Sequence, residues 1–259
     1  MLLGLRIVSH SIRQLFGNPS AALRIFLLPT MLTFAFMNYF QLNCLFSGPA
    51  ILNAIHGGYF PWLATTALFV FSEALFLWSA VAWHRFVLLN EAPTLPFMPP
   101  HVGRILAYFG RMLWPTLLVF VPMFAIAFAT GFAIASLGNK IFAPTDSVIR
   151  FTSLAIGLPV TALLLRLMTS LPATALGMPG SVKQAWTATR SQRPTLLIVA
   201  AGMILFKDGT AWLMQVASVG TETAAGAAIR VTIYAMGAML AVSFLTTLYG
   251  YYIEKRPLT

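Results

Sequence analysis

The sequence predicts an all-α fold, a polytopic membrane bundle of six transmembrane helices joined by three basic amphipathic interfacial helices. Two observations predict the spans and a third orients them. Apolar residues make up 59% of the 259-residue chain and charged residues only 8%, which is far from the composition of an ordinary soluble domain. Six stretches meet or approach the roughly 20 apolar residues that a helix needs to cross about 30 Å of hydrocarbon. The lysines and arginines then fall mostly on one side of those stretches.

The spans are expected near residues 23–45, 61–84, 112–136, 151–171, 195–218 and 228–251. Pro29, Pro122 and Pro159 fall inside them, which a membrane helix tolerates when neighbours satisfy the freed carbonyls. The fifth is the weakest, because the apolar run Leu196 to Phe206 is short and Lys207 and Asp208 follow it. A re-entrant hairpin is the alternative there, but six crossings keep Lys255 and Arg256 on the side that the charge bias prefers. Small residues at helical spacing, Ala127, Gly131 and Ala135 in the third span and Gly237 and Ala241 in the sixth, predict close helix contacts.

Twelve basic residues lie on one side, among them Arg6, Arg13, Arg24, Arg85, Arg104, Arg111, Arg166, Lys183, Arg190 and Arg193; Lys140, Arg150, Lys207 and Arg230 lie on the other. The richer side is expected to be cytoplasmic, with both termini on it and outer loops at 46–60, 137–150 and 219–227. The localisation implied is a bacterial-type inner membrane. Tyr59, Phe60 and Trp62 at one boundary and Tyr249, Tyr251 and Tyr252 at the other fit an aromatic belt. The net charge of +10 does not point to nucleic acid, because the cations are scattered among short segments between spans. Arg6, His10 and Arg13 interrupt any signal-peptide core, so the amino terminus is expected to be retained. Cys44 is the only cysteine, which excludes an intrachain disulfide and a cysteine-built zinc site.

A threefold repeat is expected within the one membrane domain of residues 1–259. Arg6 and Arg13, Arg104 and Arg111, and Lys183 and Arg190 are basic pairs seven residues apart, each just before an odd-numbered span. Leu5, Val8, Ile12 and Leu15 recur at helical spacing around the first pair, and Val102, Ile105, Leu106 and Phe109 around the second. The third is less apolar, but Ser181 and Gln184 form a capping box where its helix begins. Proline punctuates the entry to each span at Pro19, Pro115 and Pro194. The units are 1–85, 100–171 and 180–252, each a surface helix lying at the inner headgroups beside anionic lipid, followed by two spans. Chance spacing among basic cytoplasmic segments is the plainer alternative.

The runs Trp83-His84-Arg85-Phe86-Val87-Leu88-Leu89-Asn90-Glu91 and Arg166-Leu167-Met168-Thr169-Ser170-Leu171-Pro172-Ala173, with Ala175 to Gly177 and the Ala185-Trp186 helix, resemble uncharacterised bacterial six-span membrane proteins. These are similar to the membrane domain that some glycerophosphoryl diester phosphodiesterases carry before a catalytic barrel. The resemblance implies a helical membrane domain and no settled activity. Since the chain ends at Thr259, the barrel and its enzyme activity are not expected.

The intramembrane polar candidates are Glu73, Lys207, Asp208 and Arg230, because ionisable groups at depth face a bundle interior or mark function. Glu73 and Lys207 lie at similar depth, which allows a bridge, while Lys207 and Asp208 diverge by about 100° and each needs its own partner. The inner-face anion or headgroup candidates are His84, Arg85, Glu91, Arg104, Arg111, Arg166, Lys183 and Arg190. Arg85, Arg111 and Arg166 are placed to converge on a lipid phosphate, or else to snorkel to headgroups as anchors. His10, His56, His84 and His101 lack metal-ligand spacing, so no metal and no cofactor are expected. The function expected is a non-enzymatic domain that interacts with lipid or with a membrane-protein partner. The alternative is a small secondary transporter or proton-coupled carrier using Glu73 with Lys207 and Asp208.

Overall fold

The computed structural model describes residues 2–46, 61–92, 102–137, 146–216 and 223–258. Nine helices and no strand occur among them: α1 (Leu2–Phe16), α2 (Pro19–Phe46), α3 (Pro61–Leu89), α4 (Val102–Leu137), α5 (Asp146–Met168), α6 (Leu171–Leu176), α7 (Val182–Ala188), α8 (Arg193–Val216) and α9 (Ala224–Tyr252). Tyr59, Phe60, His56, His101 and Lys140 lie outside the described residues, as do the side chains of Cys44, Trp62, Gly131, Ala135 and Arg150.

The six long helices close a ring in chain order. α2 packs on α3, α3 on α4, α4 on α5, α5 on α8, α8 on α9, and α9 returns to α2 while also touching α3. Among the described residues four segments are long and apolar enough to cross a membrane, namely Val102–Ala129, Leu154–Leu176, Arg193–Gln215 and Ala228–Tyr252. The fifth span, the weakest on sequence, is one continuous helix rather than a hairpin. Its α8 runs 24 residues through Lys207 and Asp208, about 36 Å at 1.5 Å per residue.

One end of the ring is packed and basic. Ile7, Ile25, Trp83, Leu171, Val199 and Leu248 meet in its core. Toward the other end the apolar side chains are uncovered: on α4, Phe120, Val121, Phe124, Ile126 and Phe128 are exposed, Phe124 by 74%. A soluble protein rarely leaves so continuous an apolar surface open, whereas hydrocarbon solvates it.

Proline is accommodated locally. Pro29 inside α2 leaves Ile25 O without its helical donor, and Ser79 Oγ of α3 reaches that carbonyl at 2.9 Å, the same distance as to Leu75 O. Pro19 opens α2 at its first position, where a missing N–H costs nothing. Close approach also requires glycine where α1 crosses α8, since a Cβ on Gly4 would stand 2.7 Å from Ile198 Cβ. In α9, Gly237 packs against the Phe206 ring of α8 at ordinary contact distance.

The surface segments differ from the expectation in three ways. α1 is a separate helix, but it buries Gly4, Ile7, Ser11 and Leu15 against α8 and α9 and so is seated on protein as well as facing outward. The second segment is no separate helix: α4 runs unbroken for 36 residues, about 54 Å, with Pro115 buried inside it. Helix breaking by one proline is overcome where apolar helix formers flank it, and Thr116 Oγ binds Met112 O at 2.8 Å beside the gap. The third, α7, is only seven residues, with Ser181 Oγ accepting from Gln184 N at 3.0 Å as its cap. The six-residue α6 was not expected. Pro172 stands in its first turn and Gly177 closes it in the left-handed region at φ 75°, the proline-first, glycine-last signature of a helix.

Candidate functional site at the basic end

α3 delivers His84 to the centre of the packed end, fully buried. Its Nδ1 lies 2.8 Å from Thr246 Oγ1 of α9 and its Nε2 3.0 Å from the Tyr108 hydroxyl of α4. The Thr246 hydroxyl donates its one proton to Val242 O at 2.8 Å, so toward His84 it accepts. This assigns the proton to Nδ1, leaving Nε2 to accept from Tyr108. One neutral ring thus ties three long helices together. Beside it Ser11 Oγ of α1 donates to Thr247 Oγ1 of α9 at 2.8 Å, and Ser243 Oγ stands 2.9 Å from both Ser11 O and Gln14 Oε1.

Arg85, one residue on, points away from His84 by about 100°. Its Nη2 pairs with Glu91, and its Nη1 donates to Ala175 O of α6 at 3.2 Å. Asn90 makes this possible, since its left-handed φ of 56° turns the chain back after the last turn of α3. Arg256 near the carboxyl terminus finishes that turn by donating to Leu88 O at 2.8 Å.

Arg166 closes α5 in the same manner. It is only 7% exposed; its Nε donates to Thr189 Oγ1 at 3.1 Å and its Nη2 to Trp186 O at 2.9 Å. The guanidinium carbon also lies 3.5 Å from the centroid of the Trp186 ring, within cation–π range. Two arginines expected to snorkel or to share one phosphate are therefore fasteners, Arg85 holding α6 and Arg166 holding α7. They do not converge, because backbone carbonyls of two different segments capture them first.

Arg104, in the first turn of α4, lies against Gly177. A Cβ there would stand 3.1 Å from its Nε and 3.3 Å from its Nη2. Arg111 is half-buried two turns later, and Lys183 and Arg190 are exposed on and just after α7. His84, Arg85 and Glu91 divide: the ion pair joins the last two, and His84 belongs to the hydroxyl network.

The intramembrane group is not assembled. Lys207 Nζ lies 3.8 Å from Asp208 Oδ1, with side chains 80% and 54% exposed. The long lysine stem bends back across the 100° that was expected to part them. Glu73 is exposed on the face of α3 that carries His84 three turns away, and no bridge to Lys207 forms. Arg230 is half-buried on α9. Sequence reasoning missed Tyr108, Thr246, Ser11, Thr247 and Ser243. Their one signal was hydroxyls gathered at the ends of otherwise apolar runs, near the basic segments.

No family model, no curated protein and no solved structure matches this chain. The basic end is thus read on its own chemistry: a rigid, hydrogen-bonded platform that carries cations at its rim.

Proposed function

We propose that the chain is a non-enzymatic, six-span membrane domain whose basic end is cytoplasmic and holds anionic lipid in the inner leaflet. The observation that carries this reading is a second, uncovered apolar stripe on each of two surface segments. On α1 it is Leu2, Leu5, Ile12 and Phe16; on α4 it is Val102, Leu106, Phe109 and Leu113, all exposed. Exposed Arg6 and Arg13 flank the first stripe, and Arg104 and Arg111 flank the second. A helix that buries one face in protein and offers apolar side chains beside arginines on another suits the headgroup boundary.

The threefold repeat belongs to the same reading. Each surface segment seats on the helix that closes the preceding unit: α4 on α3 through Tyr108, α7 on α5 through Arg166, and α1 on α9 through Ser11. The serine and threonine hydroxyls here donate to other helix groups, Thr246 to Val242 O and Ser11 to Thr247, and Tyr108 meets His84 as a buried tie between helices, which supports the non-enzymatic assignment.

The test uses the purified chain in nanodiscs of phosphatidylcholine with or without one-third phosphatidylglycerol. Each of the four arginines near an anionic surface contributes about 1 kcal/mol, and at roughly 2–4 °C per kcal/mol for a chain of this size the expected rise in melting midpoint is about 10 °C. Changing Arg6 and Arg13 together to glutamine removes about half of it. Equal midpoints in both lipids would overturn the reading.

A further inference from the structure

The outward faces of the membrane helices differ in kind. On α4 the exposed side chains are apolar, Phe120, Phe124 and Phe128 among them, and hydrocarbon suits them. α8 instead presents a lysine and an aspartate. At 1.5 Å per residue Lys207 lies about 21 Å from the start of α8 and about 14 Å from its last residue, within the apolar segment Arg193–Gln215. Ionisable side chains at such depth almost always face protein or a wet cavity. Lys207 and Asp208 are both exposed, and among the described residues their side chains meet only each other, at 3.8 Å.

The residues around them form a regular seam. Leu197, Ala201, Ile204, Asp208, Ala211 and Gln215 follow one another at alternating steps of four and three along α8, and none of them is buried. The buried side of the helix is elsewhere, at Leu196, Val199 and Ala200, where α1, α5 and α9 pack on it. Steps of four and three are the a and d positions of a left-handed helix pair, and alanines on such a seam let two membrane helices approach closely. In this register Asp208 is an a residue and Lys207 the g residue before it. An a side chain enters a hole made by four residues of the facing helix. Where the facing helix is a second α8 at the same depth, that hole is made by Ile204, Lys207, Asp208 and Ala211 of the second copy. Asp208 of each copy then meets Lys207 of the other, twice, about a twofold axis along the membrane normal. The face is its own charge complement.

We propose that the chain forms a parallel dimer through the outward face of α8, held by reciprocal Lys207–Asp208 pairs between two copies. The dimer goes beyond the lipid reading and shares with it only the crossing of the membrane by α8.

The experiment uses the full chain in the membranes of the expressing cells, with single cysteines in a Cys44→Ser background and mild oxidation to join them. Ala211→Cys and Gln215→Cys, on the seam, are expected to give a covalent dimer of the chain. Leu213→Cys is equally exposed but turned about 160° from Ala211, and is expected to give none. Charge reversal in the Ala211→Cys chain then tests the pairs. Asp208→Lys gathers four cations at the contact and Lys207→Asp four anions, and each is expected to lower the dimer yield about tenfold through like-charge repulsion. Expressing the two reversed chains together under different tags is expected to restore a mixed dimer, because one copy then brings the anions and the other the cations. An ion pair that matters only within one chain is not rescued by another chain. Equal joining at Ala211 and Leu213, no covalent dimer at any of the three positions, or capture of a different protein at Ala211 in place of a second copy overturns the dimer. Joining at Ala211 that neither reversal lowers overturns the reciprocal pairs. The cysteine comparison, made on unreversed chains, decides the face even where a reversed chain fails to insert. Changing Arg6 and Arg13 together to glutamine is expected to leave the dimer yield unchanged, so failure of the α8 face and failure of the lipid reading are told apart.

Discussion

Replacing His84 with alanine is expected to destabilise the bundle by about 3 kcal/mol. Two interhelical hydrogen bonds are lost, worth about 0.6 kcal/mol each in a membrane bundle, and the cavity left by a fully buried ring adds roughly 2 kcal/mol. The loss falls on one point where α3, α4 and α9 meet, so all three are expected to loosen together. Reversible unfolding in mixed micelles gives the magnitude. Hydrogen exchange gives the place, with faster exchange around Tyr108 and Thr246 as well as His84. Tyr108→Phe keeps the ring and removes one donor, so its cost is expected to be about 0.6 kcal/mol. Equal costs for the two variants would show that packing around His84 contributes nothing beyond the Tyr108 bond.

Replacing Arg166 with alanine is the second large effect, expected at about 3 kcal/mol. Its two hydrogen bonds from a charged donor together contribute about 2.5 kcal/mol, and stacking on the exposed Trp186 ring adds about 0.5 kcal/mol. Its consequence is local. Arg166 is what fastens Trp186 and Thr189 to the end of α5, so residues 181–192 are expected to become the first site of proteolysis, ahead of any loss of the long helices. Arg166→Lys keeps the charge but cannot reach Thr189 and Trp186 O with one planar fork, and is expected to recover less than half. Protection of 181–192 unchanged in Arg166→Ala would contradict the fastening role.

The last four of the six expected spans, which match the four candidate membrane-crossing segments among the described residues, were legible because they rest on length and apolarity, which a bilayer enforces on any sequence that crosses it. α8 illustrates the limit of that rule. Lys207 and Asp208 lowered its apparent apolarity, yet the structure keeps it helical and lets the pair answer each other. The surface segments were legible in charge and not in shape. Pro115 marks a boundary in sequence but not in α4, because flanking helix formers outweigh one missing N–H. α6 lies in a connection where only Pro172 and Gly177 hint at a helix.

The interior of the basic end was hidden for a different reason. Its bonds run between residues as distant as Ser11 and Thr247, and no local periodicity records them. Arg85 and Arg166 were singled out by position as anion or headgroup candidates, but the sequence offered no sign that Ala175 O and Trp186 O would claim them.

The central claim is that the basic end, with both chain termini, lies on one side of a membrane crossed six times. Single cysteines at Ser9, Ser191 and Lys255, and in turn at Ser47, Thr145 and Thr221, each placed in a Cys44→Ser background, test it through labelling of intact and inverted vesicles. The first three are expected to react only from the cytoplasmic face and the last three only from the opposite one. Labelling of Ser9 and Lys255 positions from opposite faces would contradict the account.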